Sequence, residues 1–149
     1  MHGISLDIIS HRLSINHVVR PVRQKRCAYD LERYEAMRAE VDKLCSIGFI
    51  KEVDYPTWLA NVVMGCKPKR GWGMCVDYTN LNRDATAGHI LLSLMDAYSR
   101  YNQIFMHPDD QAHTSFITDR GLDCYKVMPL RPYEQPLRPT NWQHHGGLC

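Results

Sequence analysis

The residues with the most chemical potential are an aspartate and a tyrosine set five positions apart, Asp96 and Tyr101. The apolar run Ile90–Met95 has the length of a buried strand rather than of a helix, and it delivers Asp96 to its C-terminal end. A carboxylate at the mouth of such a strand is where a sheet can hold a divalent cation beside a substrate, because a hard ion such as Mg²⁺ takes oxygen ligands. The same aspartate could instead cap the turn that follows. An adjacent acidic pair, Asp109-Asp110, offers a second place for a cation, but it follows His107-Pro108 at what reads as the start of a short helix.

A second kind of chemistry is suggested by charge. The net charge of +2 is too small to imply a partner, yet its distribution is uneven. No acid occurs between Ile8 and Ala28, whereas Arg12, Arg20, Arg23, Lys25 and Arg26 fall within that span. Such a run can lie along phosphates, or it can be a solvated leader. Lys67-Pro68-Lys69-Arg70-Gly71 makes a second basic group at what reads as a hairpin tip. It can close on a triphosphate by charge attraction, or remain a solvated turn.

These groups need elements to position them. Composition is that of an ordinary globular chain, with 44% apolar and 23% charged residues in 149 positions. The uncharged stretches are too short to cross a bilayer and no signal-peptide pattern opens the chain, so a soluble intracellular protein is expected. The six cysteines form no C-x-x-C pair, which leaves a zinc ribbon unsupported, and they are expected to be reduced. Residues 1–27 read as an extended leader. A helix follows, capped by Asp30 and ended by Gly48, with Leu31, Tyr34, Met37, Val41, Leu44 and Cys45 as its apolar stripe. Phe49–Val53 reads as a strand, Asn61–Cys66 and Trp72–Tyr78 as one hairpin, and Thr114–Thr118 with Leu122–Met128 as another. Pro108 opens a short helix between them. The order argues for an α+β fold with a largely antiparallel sheet and few helices. From Pro129 onward prolines recur and periodicity is lost, so residues 130–149 read as an irregular tail.

Several of these stretches, in this order, resemble the reverse transcriptase domain of gypsy-type LTR retrotransposon polyproteins. They are His11-Arg12-Leu13, Pro21–Arg26, the helix from Glu32 into Gly48–Val53, Trp58–Val63, Met74–Tyr78 with Leu81-Asn82, Asp96–Ser99, Tyr101–Ile104, Thr114–Thr118 and Tyr125–Pro129. The resemblance implies a partial right-hand polymerase over residues 1–129, mostly fingers to about Tyr78 and early palm beyond. It implies an RNA or DNA template–primer as partner and Mg²⁺ as cofactor. Asp96 matches the family's catalytic, metal-holding aspartate. Lys67, Trp72 and Tyr101 match substrate-binding positions, and Arg20, Arg23, Lys25 and Arg26 are expected to meet nucleic acid.

The chain also departs from the pattern. The aromatic-x-Asp-Asp hairpin that supplies the remaining metal ligands is absent, although the reaction uses two ions about 3.5–4 Å apart. Arg100 replaces a glycine and Gly73 an arginine. A connecting segment with a Pro-Leu-Pro signature is missing between Arg83 and Asp84, and Leu130-Arg131-Pro132 stands where the family continues Phe-Gly-Leu. A truncated reverse transcriptase, inactive alone, is the resulting expectation, with a residual nucleic-acid-binding module as the alternative.

Overall fold

The computed structural model describes residues 10–66, 71–86 and 104–128. The strand expected at Ile90–Met95, the basic tip Lys67–Arg70 and the tail from residue 130 lie outside them.

The first long element is helix α1, Leu31–Ser46. Its start is set by Asp30, whose backbone is extended and whose side-chain oxygen accepts the Arg33 N–H at 2.9 Å. Its end is a Schellman turn, with Gly48 N–H donating to Cys45 O and Phe49 N–H to Leu44 O, both at 3.0 Å. That turn places Gly48 at φ +75°, where a side chain is strained. No atom lies within 4 Å of where a Cβ would stand, so backbone conformation alone sets the cost of adding one. Gly48→Ala should therefore destabilise the fold by about 1 kcal/mol, read as a lower denaturant midpoint with an unchanged slope.

Of the apolar stripe on α1, Met37 and Val41 are buried and Tyr34 and Leu44 partly so. Leu31 (68% exposed) and Cys45 lie in the open, contrary to the expected stripe. The helix is about 24 Å long at 1.5 Å per residue, and its fully buried residues, Met37 and Val41, lie near its middle.

Strands β2 (Ile50–Glu52), β3 (Ala60–Cys66), β4 (Trp72–Val76), β6 (Phe116–Ile117) and β7 (Leu122–Tyr125) form one sheet in the order β2-β7-β6-β3-β4. Three of its four pairings are antiparallel, and β3–β6 is parallel through Ala60↔Phe116 and Asn61↔Ile117. The expected α+β, mostly antiparallel architecture is present. Met37, Val41, Ile50, Ala60, Val62, Met64 and Phe116 make the core between α1 and this sheet. The turn from β6 to β7 is pinned back to α1 by two ion pairs, Arg38–Asp119 at 2.5 Å and Arg120–Asp42 at 2.6 Å.

Two elements depart from expectation. Residues 79–86 form a helix, α2, to which the sequence pattern assigns no element. Asp77 receives the Thr79 N–H at 3.0 Å and fixes its start. The polar sequence Thr-Asn-Leu-Asn-Arg-Asp gives only Leu81 as an apolar anchor, so periodicity could not announce it. The described part of the leader, residues 10–27, is paired at Ser10–His11 and at Arg23 rather than left solvated. Strand β1 (Ser10–His11) runs parallel to β5 (Phe105–Met106), which leads into the short helix α3 (Pro108–Gln111). Among the described cysteines, Cys45 and Cys124 are reduced thiols, as expected.

Candidate nucleic-acid interface

The basic stretch is stitched to the sheet by hydrogen bonds that use its inward face. Backbone bonds run from Gln24 N–H to Leu59 O at 2.8 Å and from Leu59 N–H to Val22 O at 3.1 Å. The Gln24 side chain accepts from Asn61 N–H at 2.9 Å and donates to Asp77 O at 3.2 Å. Asn61, itself buried, accepts the Cys27 N–H at 3.2 Å through Oδ1 and donates through Nδ2 to Lys25 O. Extended backbone sends successive side chains to opposite faces. Val22 and Gln24 turn inward and are partly covered, while Arg23 and Lys25 are exposed.

Burying an unpaired cation is costly, so this register is the one that leaves the charges in water. Arg20, Lys25 and Arg26 are exposed and, among the described residues, have no acidic partner. Arg23 is used differently, with its Nη1 donating to Pro56 O at 2.6 Å and tying the loop before β3 to the arm. Asn61→Ala strands the Cys27 N–H and the Lys25 carbonyl. It should cost about 1–3 kcal/mol and speed amide exchange over residues 24–27, measurable by hydrogen exchange.

The N-terminal end of the arm is held by a polar cluster at α3. Leu13 N–H donates to Asp110 Oδ2 at 2.9 Å, and His107 N–H donates to His11 O at 2.8 Å. Arg12 Nη2 reaches Asp109 Oδ2 at 3.2 Å and His107 Nδ1 at 3.4 Å, while His113 Nδ1 lies 3.5 Å from Asp110 Oδ1. Burial pushes the His11 imidazole below its ordinary pKa of 6.5, partly opposed by the Asp110 carboxylate. A neutral His11 is thus favoured by the fold. Its contribution is present above about pH 6.5 and is lost as pH falls through the lowered value. Acidification should loosen the β1–β5 pairing, seen as a lower protection factor at the His107 N–H, relative to its intrinsic exchange rate at each pH. His11→Asn should flatten that pH dependence.

Of the other expected site residues, Trp72 is placed and three are not. Trp72 opens β4 opposite Cys66 and packs against the core, with the Arg33 guanidinium 4.5 Å from the centre of its ring. Asp96, Lys67 and Tyr101 lie outside the described residues. The Asp109-Asp110 pair stands in the first turn of α3, as read, and its carboxylates are engaged by Arg12 and the Leu13 N–H. No group of three or more His, Cys, Asp or Glu among the described residues is arranged to hold a metal. These residues therefore supply no donor set that fits Mg²⁺. A cleft lined by Gln24, Trp58, Asp77, Tyr78, Leu81 and His113 encloses only ≈ 10 Å³. That is less than the roughly 300–1,000 Å³ of small-ligand pockets. What the described surface offers is an exposed cationic strip on a fixed backbone. Sequence reading found the strip but missed Gln24 and Asn61, whose one available signal was an amide interrupting the apolar run Trp58–Val63.

No family model matches the sequence, and no curated protein does. Solved structures do. The chain is similar to the foamy viral protease-reverse transcriptase dRH in complex with ds DNA, with a TM-score of 0.67 and 17% identity over 86% of this chain and 24% of that one. The fold is reverse-transcriptase-like. It is similar also to the native Prototype Foamy Virus protease-reverse transcriptase, at TM-score 0.68 and 17% identity, and to the foamy viral enzyme in complex with RNA/DNA hybrid, at 0.66 and 18%. Each of these two matches covers 86% of this chain and 19% of the other. The chain thus spans about a quarter or less of the length of these neighbours. Among the described residues no helix is long and apolar enough to cross a membrane.

Proposed function

We propose that this chain is the fingers and early palm of a reverse transcriptase of the gypsy-type LTR retrotransposon kind, holding a template–primer without extending it by itself. The observation that carries the reading is the arm. Its backbone is anchored through Gln24 and Asn61, and Arg20, Lys25 and Arg26 are left facing solvent. Fixed cations of this kind bind phosphates by releasing counterions, without reading sequence. The ordered motifs from His11 to Pro129, the reverse-transcriptase-like fold, and the ds DNA and RNA/DNA hybrid complexes of the structural neighbours support the same reading.

Inactivity follows from ligand count. Nucleotide addition needs two metal ions, and Asp96 is the one residue of this sequence that matches a family metal-holding carboxylate. Primer extension on the purified chain with Mg²⁺ or Mn²⁺ should give no template-dependent incorporation; incorporation with contaminating polymerases excluded overturns the inactivity. A second reading, a nucleic-acid-binding module without catalysis, is favoured by the same exposed cations. It predicts salt-dependent binding of an RNA–DNA hybrid, and absence of binding at low ionic strength sinks both readings.

A further inference from the structure

Tyr55 holds a backbone conformation that no contact of its side chain among the described residues accounts for. It lies at φ +49°, the left-handed region that bulky side chains avoid, yet its side chain is 93% exposed. It also precedes Pro56, whose ring restricts the backbone before it. Strain of this kind collects at sites that use it. The loop from Val53 to Leu59 that carries Tyr55 is tied to the basic arm at two points. Arg23 Nη1 donates to Pro56 O at 2.6 Å, and Arg23 pairs with Leu59 in a parallel bridge. The loop that carries the exposed ring is thereby anchored to the arm that carries the exposed cations, and Asp54 is the loop's only charged side chain. A cationic track with an aromatic face beside it is the combination that holds a single nucleic-acid strand, because every base offers a π-face for stacking.

We propose that Tyr55 is a stacking platform for an unpaired base of a strand whose phosphates follow Arg20, Lys25 and Arg26. The inference rests on the nucleic-acid reading of the arm and adds a residue that distinguishes unpaired from paired substrate. A duplex end without an overhang presents phosphates to the arm but no free base to the ring.

The test is fluorescence anisotropy on the full chain with two probes: a blunt RNA–DNA hybrid, and the same hybrid extended by a short unpaired template overhang. The parent chain should prefer the overhang, and Tyr55→Ala should weaken overhang binding about tenfold while leaving the blunt hybrid unchanged. Tyr55→Phe keeps the ring and should keep the preference. Tyr55→Gly accepts the left-handed backbone without strain, so the loop stays in place while the ring is lost, and it should behave like the alanine variant. Overhang preference that survives in both ringless variants overturns the proposal, as does a parent chain that binds both probes equally, in which case the arm reading stands. A parent chain that binds neither probe overturns both.

Discussion

Replacing Phe116 by alanine should cost about 3–5 kcal/mol, the largest loss expected from one side chain in this fold. Phe116 is fully buried on β6, the middle strand of the five. It stands beside Ala60 of β3 and Asp123 of β7, and its ring lies 5.4 Å from that of Tyr125. The Tyr125 ring in turn lies 6.5 Å from that of Tyr78, whose hydroxyl donates to Thr114 O at 2.7 Å. Burial holds both phenols above their ordinary pKa, so the cluster stays neutral across physiological pH. Truncation leaves a cavity where α1, β3 and β7 meet, and these elements have little freedom to collapse into it. Domains of this size are stable by only about 5–15 kcal/mol, so the variant should be largely unfolded in mild denaturant. Chemical denaturation monitored by tryptophan fluorescence measures this. A loss under about 1 kcal/mol would mean that the core does not centre on Phe116.

The second large effect concerns binding. Removing Arg20, Lys25 and Arg26 together should reduce affinity for an RNA–DNA hybrid by on the order of a hundredfold near 0.1 M salt. The plot of log affinity against log salt should also flatten by about three, close to one for each phosphate no longer neutralised. Because the three side chains are exposed, the melting temperature should barely move. A uniform drop in affinity with an unchanged salt slope would place the phosphate-binding cations elsewhere. Arg23→Ala should behave differently, loosening the loop before β3, since its guanidinium is engaged with Pro56 O.

How far the sequence was legible depended on how far apart in the chain each interaction's partners lie. Helix α1 could be bounded at both ends because Asp30 and Gly48 act within their own turns. The β3–β4 hairpin, the β6–β7 hairpin and the Pro108 helix start were also carried by local signals. What could not be read was decided across long separations. The parallel β3–β6 pairing joins residues 60–61 to 116–117, and the Gln24–Asn61 clamp spans 37 positions. No periodicity encodes either. For the interface, residue type alone showed that positions 20–26 are cationic. Which cations face water, and that Arg23 is spent on a carbonyl, required the fold.

The parallel pairing of β1 with β5 has a consequence for synthesis. Arg12 and the aspartate that receives it are 97 positions apart. The first described strand must therefore wait, once it has left the ribosome, for the helix that carries that aspartate before it can dock. At about 5–20 residues per second that interval is on the order of 5–20 s, during which residues 10–13, with the Arg12 cation, have no docking partner. Translation speed through the middle of the message thus sets how long the nascent chain is open to capture by the wrong polyanion.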